Sequence, residues 1–428
     1  MRPRSLIPTT TVLPVALLAL LVFVSGCALQ SGNNVQDAPP RLAPTIILVS
    51  LDGFRWNYLD QYAPPVLTRL AAEGVRAERL IPVFPTKTFP NHYTLVTGLY
   101  PEHHGIVGNS MYDPDFDISF RMSDREAVQD ERWWRGEPIW ITLENQGQKS
   151  APFFWVGSEV EIQGVRPSYW MPFDESIPAA ERVEQILTWL DLPPDQRPTF
   201  LTLYFSDLDS KSHRFGPDSN ETVQAVRDVD RYLGRLVDGL EQRGLYHHVN
   251  LIVVSDHGMV ATSSERVLIL DDYIDLDDVH LVTTDPVVML RPVEGKMEAV
   301  YNALKAAPHL SVYRREEIPD ELHYRAHRRI TPIVGIADEG WRIATRNAYT
   351  RNPSRFDGGM HGYDHRLVSM HTLFVARGPA FAQGLTVEPF ANIHVYPLMT
   401  SILGVEPAPN DGDLGAVRHL LRPAGVLP

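Results

Sequence analysis

The 428-residue chain carries 39 Lys and Arg against 53 Asp and Glu, a formal charge of −14. So acidic a chain argues against a nucleic-acid backbone as its main partner, though not against a small anion met by a bound cation. Cys27 is the sole cysteine, which excludes a disulfide within the chain, a thiolate metal site and a cysteine nucleophile.

Arg2 and Arg4 precede an apolar run from Val12 to Val24. The run is shorter than the roughly 20 residues a spanning helix needs. Ser25, Gly26 and Cys27 follow it, and the pattern resembles the signal of a bacterial lipoprotein. Residues 1–26 are then a signal peptide, cleaved after Gly26, and Cys27 carries the lipid. The mature chain would keep 37 basic against 53 acidic residues. Its expected place is the periplasmic or cell-surface side, held to a membrane through Cys27, with Ala28 favouring the outer membrane. Residues 27–43, rich in Ser, Gly, Asn, Gln and Pro, read as a flexible tether.

The catalytic domain is expected to span 44–425. Continuous apolar runs predict strands at Thr45–Leu51, Phe153–Val156, Phe200–Phe205, Leu251–Ser255 and Thr372–Ala376. Runs without alternation suit strands buried on both faces, as in parallel sheets. Helical patterns fall between them at Pro65–Glu73, Ala179–Leu190 and Glu221–Arg243. This alternation predicts an α/β fold with a doubly wound, mostly parallel sheet flanked by helices. Residues 262–355 differ, with a short strand pattern at Val287–Arg291 and a helix pattern at Lys296–Ala307. They read as a smaller inserted α+β subdomain.

Chemistry-bearing residues gather where the predicted strands end. Asp52 follows the first run, Asp209 and His213 the third, and Asp256 and His257 the fourth; His361 comes after the insertion. Ligands bind outside the carboxyl ends of strands in open α/β sheets. Asp209 and His213 are one helical turn apart and share a face. Carboxylate and imidazole ligands suit zinc without thiolates. Two such ions, roughly 3.5–4 Å apart, clamp both oxygens of an in-line displacement at phosphorus. Thr88 stands two residues before Pro90, a helix-entry signal that by itself reads as an N-cap. The same place lets a hydroxyl meet phosphate in a favourable field. Asn109 reads as a turn residue or as an amide donor to a phosphoryl oxygen.

The order Asp52, Thr88, Asp209-x-x-x-His213, Asp256-His257, His361 resembles the alkaline phosphatase superfamily. Longer segments resemble its nucleotide pyrophosphatase/phosphodiesterase family: FPTKTFPNHYTLVTGLYPEHHGIVGNSMYDP, GEPIW, FFWVGSEVEIQG, LYFSDLDSKSHRFGP, SDHGM and GGMHGYDH. The likeness covers roughly residues 45–405. It implies an alkaline-phosphatase-like fold and two zinc ions. Asp209, His213 and His361 would hold one; Asp52, Asp256, His257 and the Thr88 oxygen would hold the other. It implies Thr88 as nucleophile and a nucleobase held by Phe89 and Tyr204. Leu208 and Ser212 replace a proline and a glycine of the family pattern while the ligand spacing is kept. The likeness stops short of the cysteine-rich and nuclease-like modules of larger animal members.

The activity expected is hydrolysis of nucleotide and dinucleotide phosphodiester and pyrophosphate bonds, with no specific nucleic-acid partner. A glycerophospho- or lysophospholipid diesterase and a phosphomonoesterase are the rival enzymes. A zinc-binding surface lipoprotein is the rival outside enzymes.

Overall fold

The computed structural model describes residues 42–423. The leader, Cys27 and nearly all of the tether lie outside the described residues. Among the described residues no helix is long and apolar enough to cross a membrane.

Thr45–Leu51 is the centre of the fold because every one of its side chains is buried. Successive residues point to opposite faces of a strand. Ile46 and Leu48 therefore join one core, with Tyr93, Trp140 and Tyr396. Ile47, Val49 and Leu51 join the other, with Val226, Val229 and Leu233. The strand pairs in parallel with Phe200–Phe205 on one side and Val249–Val254 on the other. Ser150–Pro152 extends the sheet in parallel beyond Phe200–Phe205. On the far side, Phe374–Arg377 pairs antiparallel with Val249–Val254. Val75–Ala77 and Leu385–Val387 complete seven strands. One strand of the seven runs against the rest, so the mostly parallel sheet is as the apolar runs implied.

Helices Pro65–Glu73 and Ala179–Leu190 begin and end where the sequence pattern places them. The long helix spans Asn220–Gln242, and Ser219 caps it by accepting the Thr222 N–H. One strand differs from the expectation: the sheet uses Ser150–Pro152, not the Phe153–Val156 run. Phe154 has φ 57°, a left-handed backbone that an extended strand does not hold.

Between 262 and 358 the chain builds a four-stranded antiparallel sheet. Its order is Val279–Thr283, Val287–Pro292, Ile333–Ala337, Leu310–Arg314. Helix Met297–Lys305 covers it through Val300, Tyr301 and Leu304. The two ends of this excursion are stitched together, since Val260–Thr262 pairs antiparallel with Gly358–Met360. That pairing returns His361 to the region of His257 across about a hundred residues of sequence. Inside the excursion, fully buried Arg329 donates to Asp113 at 2.7 Å and to the carbonyls of Gly105 and Trp133. These bonds fasten the added sheet to the main domain.

Candidate active site

Asp52 is the first residue after the Thr45–Leu51 strand. Gly53 follows at φ 72°, and a Cβ there would stand 3.1 Å from the Asp209 Cα. Glycine thus permits both the left-handed turn and the close approach of Asp52 to Asp209. Asp209 lies in the first turn of helix Asp207–Phe215, and His213 one turn later. Asp256 and His257 follow Val249–Val254 after Ser255. Thr88 is the first residue of helix Thr88–Thr97. The cap position belongs to Lys87, whose side chain makes no capping bond. The Thr88 hydroxyl is therefore not spent on the helix; it lies 3.3 Å from His257 Nε2.

The ligand candidates converge. His257 Nε2 is 2.9 Å from Asp256 Oδ2 and 3.4 Å from Asp52 Oδ1. Asp52, Asp256 and His257 offer ligand atoms all within 4.8 Å of one another, and so do Asp209, His257 and His361. His213 stays beside this second group, with Nε2 3.4 Å from Asp209 Oδ1. The imidazoles of His257 and His361 stack at 3.4 Å between ring centres. His257 thus bridges the two groups that the sequence pattern keeps apart.

Three details fit this set to divalent metal. Asp52 Oδ1, Asp209 Oδ1 and Asp256 Oδ2 are buried without a hydrogen-bond donor, which is costly unless a cation meets them. Each imidazole donates Nδ1–H to a backbone carbonyl: His213 to Gly359 at 2.9 Å, His257 to Gly258 at 3.0 Å, His361 to Thr86 at 2.8 Å. A carbonyl can only accept, so the proton sits on Nδ1 and each Nε2 keeps its lone pair for a metal. Gly358, at φ 111°, lies so near the His213 carbonyl that an added Cβ would collide with it. A side chain there would push away the Gly359 acceptor.

With no cation between them, the buried charges act strongly on one another. Burial, and then the charges of Asp256 and Asp209, push the Asp52 carboxyl well above the usual range. Burial alone would raise Asp256 too, but His257 and His92 hold it below. Burial, the largest influence, disfavours a proton on His257, yet Asp256, Asp209 and the Gly258 carbonyl together raise that imidazole. Burial, then His257 and His213, hold His361 well below the ordinary imidazole value.

A cavity of about 310 Å³ opens beside Thr88, Asp52 and Asp209. Phe89 and Tyr204 line it, in keeping with the sequence motifs, and so do Phe154, Trp155 and Phe173. Tyr204 also reaches the candidate ligands, because its hydroxyl donates to Asp52 Oδ2 at 2.6 Å. Asn109 accepts the Phe89 N–H at 2.9 Å through its amide oxygen, which leaves its NH₂ as the free donor.

Sequence reasoning passes over His92, which is fully buried beneath the site. Its Nδ1 is 2.9 Å from the Thr88 carbonyl and 3.5 Å from Asp256 Oδ2, and its Nε2 is 2.8 Å from Ser50 Oγ. It also reads Phe153–Val156 as sheet where the chain builds the cavity wall. The FFW cluster is the available signal.

Because Tyr204 orients Asp52, Tyr204→Phe is expected to weaken metal affinity about 10-fold or more, as loss of an outer hydrogen bond to a ligand does. Competition titration against a chromophoric chelator measures this. Unchanged affinity would mean that the hydroxyl serves only the cavity.

Comparison with known proteins gives the family. Residues 46–364 match the model of the type I phosphodiesterase / nucleotide pyrophosphatase family. The chain is 40% identical over 409 residues to ectonucleotide pyrophosphatase/phosphodiesterase family member 1 of Homo sapiens, covering 92% of this chain but 43% of that protein. It therefore spans less than half the length of that relative. With the bis(5′-adenosyl)-triphosphatase of Xenopus laevis it shares 40% identity over 410 residues, 95% of this chain and 87% of the relative. Murine ectonucleotide pyrophosphatase/phosphodiesterase 5, an inactive variant in complex with AMP, superimposes with a TM-score of 0.84 at 40% identity, covering 89% of this chain and all of that one. With about three quarters of its length matched to the family and its Asp and His residues gathered as described, the chain belongs to the type I phosphodiesterase / nucleotide pyrophosphatase family.

Proposed function

We propose that this chain is a two-zinc phosphodiesterase that hydrolyses nucleotide phosphodiester and pyrophosphate bonds and releases nucleoside 5′-monophosphates. One observation carries the reading. Three donor-less carboxylate oxygens and imidazoles with free Nε2 atoms converge on a threonine hydroxyl at a helix start, facing an aromatic cavity. The names of the relatives, and the AMP bound to one of them, support a nucleotide as substrate.

Asp209, His213 and His361 would hold one ion, and Asp52, Asp256, His257 and Thr88 the other, with His257 close to both groups. Bound divalent ions supply Lewis-acid charge to the phosphoryl oxygens and favour an ionised hydroxyl. Thr88 Oγ forms a bond to phosphorus while the bond to the leaving oxygen breaks, giving a threonyl-phosphate ester. Water then attacks the same phosphorus, and Thr88 leaves as the hydroxyl. The N-terminus of helix Thr88–Thr97 favours the negative phosphoryl group. The free NH₂ of Asn109 can donate to a phosphoryl oxygen where charge develops. Phe89 and Tyr204 hold the base by stacking, and the Tyr204–Asp52 bond fixes the angle of one of those rings.

Nucleotide esters provide the test. Phe89→Ala is expected to raise KM for 4-nitrophenyl thymidine 5′-phosphate roughly fivefold or more, since stacking on a base is worth about 1–3 kcal/mol, with a smaller change in kcat. Bis(4-nitrophenyl) phosphate, which has no base, should respond less. Faster turnover of glycerophosphocholine than of any nucleotide by wild type would replace this reading with a lipid diesterase.

A further inference from the structure

The aromatic walls of the cavity accept any flat base, because every base has a π-face. Discrimination among bases then falls to polar groups on the wall. Arg125 is the sole Lys or Arg among the lining residues. It opens the short helix Arg125–Val128 and pairs with Glu159.

The two partners of that pair differ in what they have left to offer. The Glu159 side chain is 6% exposed, and both its oxygens are occupied. Oε1 accepts the Phe173 N–H at 3.0 Å. Oε2 accepts from Gln129 Nε2 at 3.0 Å and from the Arg125 guanidinium. Arg125 commits one terminal nitrogen to Glu159, its side chain is 41% exposed, and it lines the cavity. A guanidinium has five N–H donors and no acceptor, so most of its fork remains for a ligand. The cavity thus presents a planar donor pair held in place by a buried carboxylate.

Resting on the nucleotide reading above, we propose that Arg125 sets the base preference, favouring a base with two adjacent acceptors. Guanine presents O6 and N7 side by side and matches an arginine fork. Adenine sets its N6 amino donor beside N7, and a guanidinium cannot accept from it. Gln129 shares the Oε2 oxygen with Arg125 and the Phe173 N–H holds Oε1, so the carboxylate stays fixed while Arg125 reads the base.

The experiment compares kcat/KM for the 4-nitrophenyl esters of guanosine, inosine and adenosine 5′-monophosphate. Wild type is expected to favour guanosine over adenosine about fivefold or more, the lower bound for one bidentate contact. Inosine, which keeps O6 and N7, should follow guanosine. Arg125→Met should bring the guanosine-to-adenosine ratio close to one. Arg125→Lys keeps a cation against Glu159 but loses the fork, so its ratio should fall between the two. A wild-type ratio of one or less, inosine behaving as adenosine, or an unchanged ratio in Arg125→Met would each overturn the assignment. Turnover of bis(4-nitrophenyl) phosphate without turnover of any nucleoside ester would overturn the nucleotide reading itself.

Discussion

Thr88→Ala is expected to lower kcat/KM at least about a thousandfold for every diester, because loss of a nucleophile removes the covalent route and not one contact among many. The effect should be confined to chemistry. Thr88 caps nothing, and among the described residues its hydroxyl has one hydrogen-bond contact, His257 at 3.3 Å. The helix it opens is held instead by Asn91, which accepts the Val83 N–H and donates to the carbonyls of Val83, Pro85 and Lys87. Thermal melting of the metal-loaded variant should therefore stay near that of wild type. Thr88→Ser keeps a hydroxyl in place and should retain part of the activity. Near wild-type turnover by Thr88→Ala would exclude the covalent mechanism.

Removing the metal is expected to abolish activity and to invert the sign of one mutational effect on stability. Without a cation, ionised Asp52 shares a buried space with Asp256 and Asp209. Asp52→Asn removes one of these charges while leaving an acceptor for the Tyr204 hydroxyl. After chelation this variant should be more stable than wild type by about 1–3 kcal/mol, the scale of a buried polar group left unsatisfied. With zinc in excess it should be the less stable of the two, because binding stabilises the folded state by an amount that grows with the logarithm of affinity. The pH dependence follows from the raised folded-state pKa of Asp52. A carboxyl that holds its proton more tightly when folded makes stability fall as pH rises from the unfolded value through the folded one. The advantage of Asp52→Asn in chelated protein should therefore be largest at neutral pH and shrink on acidification. Differential scanning fluorimetry with and without chelator, at about pH 5 and about pH 7.5, checks both signs. A chelated Asp52→Asn variant melting below chelated wild type would show that the carboxylate supports the fold itself.

The sheet was largely legible because burial on both faces writes itself as unbroken apolar runs, as Thr45–Leu51 shows. Phe153–Val156 misleads for the same reason. An apolar run is also what a cavity wall needs, and nothing in its composition reveals the left-handed turn at Phe154. Strands of three residues, such as Val75–Ala77 and Leu385–Val387, are too short to leave a period. The candidate ligand residues stood out because acids followed strand runs at three separate places. Their grouping did not, since only folding shows that His257 stacks on His361 and faces both sets. Thr88 carried two expectations, cap and nucleophile, and the helix start gives the cap position to Lys87. Arg125 had no sequence signal, and Glu159 stood only inside the FFWVGSEVEIQG segment: a polar pair on a cavity wall looks like any surface pair until the wall is built.

The most direct measurement is the stereochemical course at phosphorus for a chiral phosphorothioate diester hydrolysed in isotopically labelled water. Attack by Thr88 followed by attack of water consists of two in-line displacements, so retention of configuration is expected. Inversion would mean a single displacement by water and would contradict a threonyl intermediate, however closely Thr88 approaches the Asp and His cluster.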